Sequence, residues 1–159
     1  MKARRKRTVA DSQVEMTQLV LPNDTNQLGN LLGGRLMEWM DIAAAIAAQR
    51  HSNRICVTAS VDDLVFHQAI RLGEVVTLRA SVNRAFGTSM EVGVQVIAEN
   101  QLTRDRRTAN TAYFTFVAVD DHTQPAPVHP IVPGTALERR RYRDALERRN
   151  ERLRRRRRP

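Results

Sequence analysis

The chain has 159 residues, is 42% apolar, and carries 26 Lys and Arg against 17 Asp and Glu, for a net charge of +9. That length and apolar share suit one domain with an ordinary buried core, and its single cysteine, Cys56, excludes an intramolecular disulfide or an all-cysteine metal site. No apolar run approaches the roughly 18 residues of a membrane-spanning helix, and the basic start "MKARRKR" leads into "TVADSQVEMT" rather than an apolar stretch, so the chain reads as soluble, unexported and cytoplasmic.

The charge is unevenly placed. Residues 1–7 hold five basic residues and no acid, and residues 137–159 hold twelve Arg against Glu138, Asp144, Glu147 and Glu151. The remainder, 8–136, has nine basic residues against thirteen acids, so a mildly acidic body lies between two basic ends.

In chain order, a basic extension (1–13) precedes "VEMTQLVLP" (14–22), which partly alternates and reads as a first strand stopped by Pro22. "NDTNQLGNLLGG" is loop-like in its Asn, Asp and Gly content. A helix is expected from Leu31 or Gly33 to about His51, with Asn30 as its cap. The period then changes to two. Strands are expected over 55–66, over the alternating Val76, Leu78, Ala80 and Val82, over Met90, Val92, Val94, Val96 and Ala98, and over 108–119. With only hairpin-sized loops among these four strands, the sheet is expected to be antiparallel, and one Ala-rich helix packed on it gives an α+β domain over 14–120. Residues 121–136, rich in Pro, read as an extended linker, and 137–159 as an Arg-rich helix and tail.

Asp41 is the residue that the helix does not explain. It sits in "GGRLMEWMDIAAAIAA", and a carboxylate buried there without partners costs several kcal/mol. A solvated helix edge formed with Arg35, Glu38 and Gln49 is one reading. The preceding loop favours another, because Asn side chains and the N–H groups of a helix start favour a developing oxyanion, and a nearby carboxylate holds or activates water. Asn26 and Asn30 serve equally well as turn and cap residues. Elsewhere, His51, His67, His122 and His129 lack metal-ligand spacing, Cys56 reads as a core residue, and Ser60, Ser81 and Ser89 lack a nucleophile-elbow setting. Phosphate-binding glycine loops are absent. An enzyme built from these residues relies on a carboxylate.

The stretch "LPNDTNQLGNLLGGRLMEWMDIAAAIAAQRHS", with "VTASVDDLVFHQAIRLGEVV", "GTSMEVGVQVIAEN" and "TAYFTFVAVD", resembles the hotdog-fold acyl-CoA thioesterases of the cytosolic, brain-type and related bacterial group, across roughly 17–120. The resemblance implies a long helix wrapped by an antiparallel sheet of five or six strands. It also implies hydrolysis of fatty acyl-CoA to free CoA and carboxylate, with no cofactor beyond the CoA of the substrate. Homodimers are implied as the minimum unit, assembled into a hexamer as a trimer of dimers. Residue by residue, Asp41 matches the catalytic carboxylate, a general base or nucleophile. Asn26 matches the Asn that meets it from the other subunit. N–H groups at Gly33 and Gly34 are placed as the oxyanion donors. Phe66, Arg84, Gly87, Thr88 and Ser89 match a region beside the CoA moiety. Arg35 departs from relatives, which carry a small or apolar residue after the Gly pair, and Gln68-Ala69 replaces a Pro-containing turn.

Two other functions compete. One is a CoA-ester-binding module without hydrolysis, which the presence of both Asp41 and Asn26 disfavours. The other is binding to nucleic acid or another anionic surface through the Arg-rich ends. The tail's only aromatic residue is Tyr142, which gives base stacking little support, so no specific nucleic-acid partner is expected. Arg54, Arg104, Arg106 and Arg107 are candidates for CoA phosphates or, by default, solvated loop charges.

Overall fold

Apolar residues at every second position put one face of each strand against the helix: Val76, Leu78, Ala80 and Val82, then Met90, Val92, Val94, Val96 and Ala98, are all buried. The computed structural model describes residues 5–62 and 64–158, so residues 1–4 of the basic extension, Asp63 and Pro159 lie outside the described part. The strands are β1 (Arg7–Thr8), β2 (Val14–Leu19), β3 (Ile55–Asp62), β4 (Val75–Ala85), β5 (Ser89–Glu99), β6 (Arg106–Val119) and β7 (Ile131–Val132). Five of them form an antiparallel sheet in the order β2-β4-β5-β6-β3, and β1 pairs in parallel with β7.

Helix α1 (Gly33–Ser52) lies on the inner face of the sheet. Leu36, Trp39, Met40, Ala43, Ala44, Ala47, Ala48 and His51 recur at helical spacing and are all buried. The four alanines are fully covered, so the helix backbone approaches the sheet closely. The expected Asn30 cap is not formed. Leu32 is the N-cap residue and supplies no side-chain hydrogen bond, while Asn30 pairs with Arg71. At the other end, Asn53 takes the left-handed conformation, φ 53°, and its N–H bonds to the Gln49 carbonyl. Arg7 donates to the carbonyls of Arg50 and His51 at 2.9 and 2.8 Å, placing a cation on the negative end of the helix dipole.

The connection between β3 and β4 differs from the hairpin expected. β3 lies at the far edge of the sheet and pairs with β6, from Ile55↔Val119 to Asp62↔Tyr113. Residues 64–74 therefore carry the chain across to the other side of the sheet, and only β4, β5 and β6 are joined as successive hairpins. Loop closure is local but strand pairing is not, and the alternation within β3 carries no information about its partner.

Helix α2 (Ala136–Arg156) covers part of the outer face. It begins at a capping box in which Glu138 N–H donates to Thr135 Oγ1 at 3.1 Å and Thr135 N–H to Glu138 Oε2 at 3.1 Å. Its inner side is tied down by charge. Glu91 is fully buried, and Arg148 donates to both of its oxygens at 3.0 and 2.7 Å while lying 3.6 Å from the centre of the Tyr113 ring. Asn83 Nδ2 completes the Glu91 shell at 3.0 Å, and Arg152 bonds Asp62 at 2.6 Å. The Pro-rich segment before α2 is packed rather than free, with Ala126, Val128 and Ile131 buried.

Candidate active site

Asp41 sits at mid-helix on the side of α1 that turns away from the sheet centre toward the β3 edge. Its neighbours there, Met37, Ile42 and Ile46, are exposed large apolar residues. The carboxylate is half-buried and accepts one hydrogen bond, from Thr58 Oγ1 to Oδ1 at 2.6 Å. Thr58 lies on β3 two residues beyond buried Cys56, so the same strand face that closes the core turns the hydroxyl to the helix. A short charge-assisted bond of this kind fixes the carboxylate and leaves Oδ2 for a ligand.

The loop before α1 is folded by its own polar side chains. Asn26 Oδ1 accepts the N–H groups of Leu28 and Asn30 at 3.0 and 3.2 Å, and Asn26 N–H bonds the Asn30 carbonyl at 2.9 Å. Its Nδ2 group donates to nothing among the described residues. Buried Asp24 accepts Leu21 N–H at 2.9 Å and pairs with Arg35 Nε at 3.2 Å, which fastens the loop to the first turn of α1. Arg35 also meets Glu38 at 3.1 Å. Arg35 thus has a local role here, tying the loop to the first turn of the helix.

With no side-chain cap, the first N–H groups of α1, at Gly33 and Gly34, keep their donor capacity. The Phe66 ring lies over Gly33, where an added Cβ would come within 3.3 Å of it, while nothing stands within 4 Å at Gly34. This brings two expected site residues into contact. Asn26 and Asp41 are not joined by a hydrogen bond among the described residues.

Sheet register relates Asp41 to the β4–β5 hairpin. Thr58 pairs with Phe116, Phe116 with Met90, and Met90 with Ala85. Gly87, Thr88 and Ser89 therefore stand at the same end of the sheet as Thr58, two strand spacings or about 10 Å across. Arg84 donates to the Tyr142 carbonyl at 3.1 Å and stacks 3.9 Å over that ring, so α2 holds it. Gly87 and Thr88 carbonyls accept from Val128 and Ala118. Of the candidate phosphate ligands, Arg107 is committed to Glu74 at 2.7 and 3.0 Å, and this pairing holds the Glu74 carboxyl below the usual carboxylate range. Arg54, Arg104 and Arg106 are exposed.

Cys56 is buried and contacts Ser52 Oγ at 3.2 Å, and burial pushes its thiol pKa up, which removes nucleophilic character. A cavity of about 590 Å³ lies on the outer face between the sheet and α2, lined by Arg79, Asn83, Tyr113, Arg140, Arg141 and Arg148 among others. The sheet separates it from Asp41. Sequence reasoning missed Thr58 and Asp24. Parity with Cys56 puts Thr58 on one face of β3 but does not pair it with Asp41, and for Asp24 the signal was an Asp within an Asn-rich loop.

A helix on an antiparallel sheet, with a carboxylate at mid-helix and an amide loop at its start, defines the hotdog class. The thioesterase superfamily model matches residues 28–104. The chain is 42% identical over 142 residues to the uncharacterized acyl-CoA thioester hydrolase YkhA of Bacillus subtilis, covering 89% of this chain and 83% of that one. It is equally identical over 142 residues to mouse acyl-coenzyme A thioesterase 11, at 42%, over 89% of this chain but 24% of that protein. The chain thus spans about a quarter of the length of such mammalian relatives. Among solved structures, the acyl-CoA hydrolase of Bacillus cereus superposes with a TM-score of 0.92 at 36% identity, over 96% of this chain and 93% of that one. The Staphylococcus aureus hydrolase, solved with butyryl-CoA, CoA and CoA disulfide, gives 0.90 at 34%, over 96% and 93%. That protein has also been solved with an aspartate, an asparagine and a threonine each replaced by alanine. A hexameric acyl-CoA thioesterase gives 0.90 at 38%, over 94% and 97%. The chain belongs to the thioesterase superfamily, among the hotdog-fold acyl-CoA thioesterases.

Proposed function

We propose that this chain hydrolyses the thioester of fatty acyl-CoA, in the cytoplasm, to free CoA and a carboxylate. The observation that carries the reading is Asp41, a carboxylate on an apolar helix face whose orientation is fixed by Thr58 and whose second oxygen is available. As general base, Asp41 takes a proton from water as the water oxygen bonds to the thioester carbon. The C–S bond then breaks and the CoA sulfur leaves as thiolate, to be protonated. The alternative uses the same geometry: the carboxylate attacks the thioester carbon and expels CoA thiolate, and water then hydrolyses the mixed anhydride to free carboxylate and regenerated Asp41. N–H groups at Gly33 and Gly34 stabilise the carbonyl oxygen as it gains charge, and the NH2 group of Asn26 orients water or substrate. No further cofactor is required. Phe66 and the Gly87–Ser89 hairpin with Arg84 line the CoA path.

The functional unit is a homodimer built into a hexamer, a reading supported by two similar thioesterases described as hexameric. Gly33 and Asp41 are eight residues apart on one helix, about 12 Å along its axis, so one thioester cannot meet both from the same chain. Exposed Ile55 and Val57 on edge strand β3, with Met37, Ile42 and Ile46 on α1, suit burial against a second copy that supplies Asn26 and the glycines. The S. aureus variants support the choice of residues, since the three replaced residue types occur here as Asp41, Asn26 and Thr58 at the same spacing along the chain.

Thiol release from acetyl-, butyryl- and palmitoyl-CoA tests the activity. Asp41→Asn and Asn26→Ala are each expected to lose at least about a hundredfold in turnover. Mixed and reassembled, the two variants recover roughly a quarter of wild-type turnover, because half of random dimers pair one of each and regain one of two sites. Absence of recovery refutes the shared site. A folded wild type that binds CoA esters without releasing thiol refutes hydrolysis in favour of a binding module.

A further inference from the structure

Helix α2 uses its arginines in two different ways, and the division follows helical phase. Arg148, Arg149 and Arg152 point inward, onto Glu91, the Phe86 ring and Asp62. Arg139, Arg143 and Arg154 occupy the opposite side of the helix with Arg140, which also borders the cavity between α2 and the sheet, and Arg157 and Arg158 continue past its end. All six are exposed, and none has a carboxylate partner among the described residues. Glu147 and Glu151 are the acids on that side, and Glu151 is paired with Arg155. The result is a cationic stripe about 25 Å long in two groups, at 139–143 and 154–158, about 16 Å apart along the helix, held rigidly by ion pairs on its other side.

The two basic ends of the sequence also meet. Pairing of Arg7 with Ile131 and of Thr8 with Val132 sets exposed Arg5 and Lys6 beside the segment that leads into α2. Leu137 and Leu153, 44% and 37% exposed, flank the stripe.

We propose that this stripe docks the protein on an anionic lipid bilayer, with the outward side of α2 lying flat against the headgroups. A plane of phosphates is met at once by two clusters of guanidinium groups carried on one rigid helix, and each guanidinium can hold a phosphate by two hydrogen bonds. The flanking leucines add shallow apolar contact. A nucleic-acid duplex fits less well. The outward side carries no aromatic residue to stack on bases, and α2, fastened along its inner side, is not free to enter a groove. Docking needs no thioester chemistry. If the proposed hydrolase activity holds, it places the enzyme where acyl-CoA and fatty acid partition.

The test is co-sedimentation of the full-length protein with vesicles of phosphatidylcholine alone, or with 30% phosphatidylglycerol, at low and 0.5 M salt. Binding is expected only to the anionic vesicles, and salt should reverse it. Arg140→Gln/Arg143→Gln/Arg154→Gln should weaken partition about 100-fold, at about fivefold per arginine. Its melting temperature and any acetyl-CoA hydrolysis should stay at wild-type values. Equal binding to both vesicle types, or unchanged binding by the triple variant, overturns the proposal. Tighter binding to duplex DNA than to anionic vesicles at equal phosphate also overturns it, in favour of a nucleic-acid surface. Sedimentation is read without substrate, so loss of the hydrolase reading leaves this result standing.

Discussion

Replacing Arg148 by Met tests whether α2 is an integral layer of the domain. The guanidinium makes two bonds to Glu91, and Glu91 is fully buried while the Arg148 side chain is 23% exposed. Removing it leaves the carboxylate with Asn83 at 3.0 Å and with Arg152 at 3.9 Å. Orphaning one partner of a buried pair costs about 3–5 kcal/mol, far above the 0–1 kcal/mol typical of exposed pairs. At about 2–4 °C per kcal/mol for a chain of this size, the melting temperature should fall by about 10 °C. Calorimetry or urea unfolding at one fixed protein concentration reads this, since oligomerisation makes stability concentration-dependent. Adding Glu91→Gln keeps an acceptor for Asn83 and removes the stranded charge, so the double variant should regain more than half of the loss. A cost under about 1 kcal/mol for Arg148→Met, or no recovery in the double variant, refutes a desolvated Arg148–Glu91 anchor.

Four further outcomes follow from the geometry. His51 is buried, bonds the His129 carbonyl through Nε2 at 2.7 Å, and has its titration point lowered by burial from 6.5, so the folded state holds it neutral. The unfolded state therefore takes up the proton first, and stability should fall as pH drops below about 6.5, a slope that His51→Gln flattens in pH-dependent urea unfolding. Thr58→Val removes the bond to Asp41 without changing volume; kcat for acyl-CoA should drop about tenfold with little change in KM, and an unchanged kcat refutes the positioning role. At Gly93 an added Cβ would lie 2.8 Å from Asn83 Nδ2, so Gly93→Ala should cost about 1–2 kcal/mol by displacing the Asn83–Glu91 bond. Gly87→Ala, with open space around the new atom, should melt within a degree or two of wild type.

Much was legible in the sequence because its physical cause is local. The period of two in residues 76–82 and 90–98 fixes which side chains face the helix, whatever the strands pair with. The Ala-rich run dictates a close helix, and Asp41 stands out because desolvation makes a carboxylate costly beside Met40 and Ile42. Tertiary structure decided what depends on distant residues. The far-edge position of β3, the two-residue pairing of β1 with β7, and Thr58 as the hydrogen-bond donor to Asp41 leave no periodic trace, since one hydroxyl on a strand looks like any other. The arginines of α2 make the same distinction. Composition supplies their number, but only packing against Glu91 and Asp62 separates those consumed inside the molecule from those it presents outward.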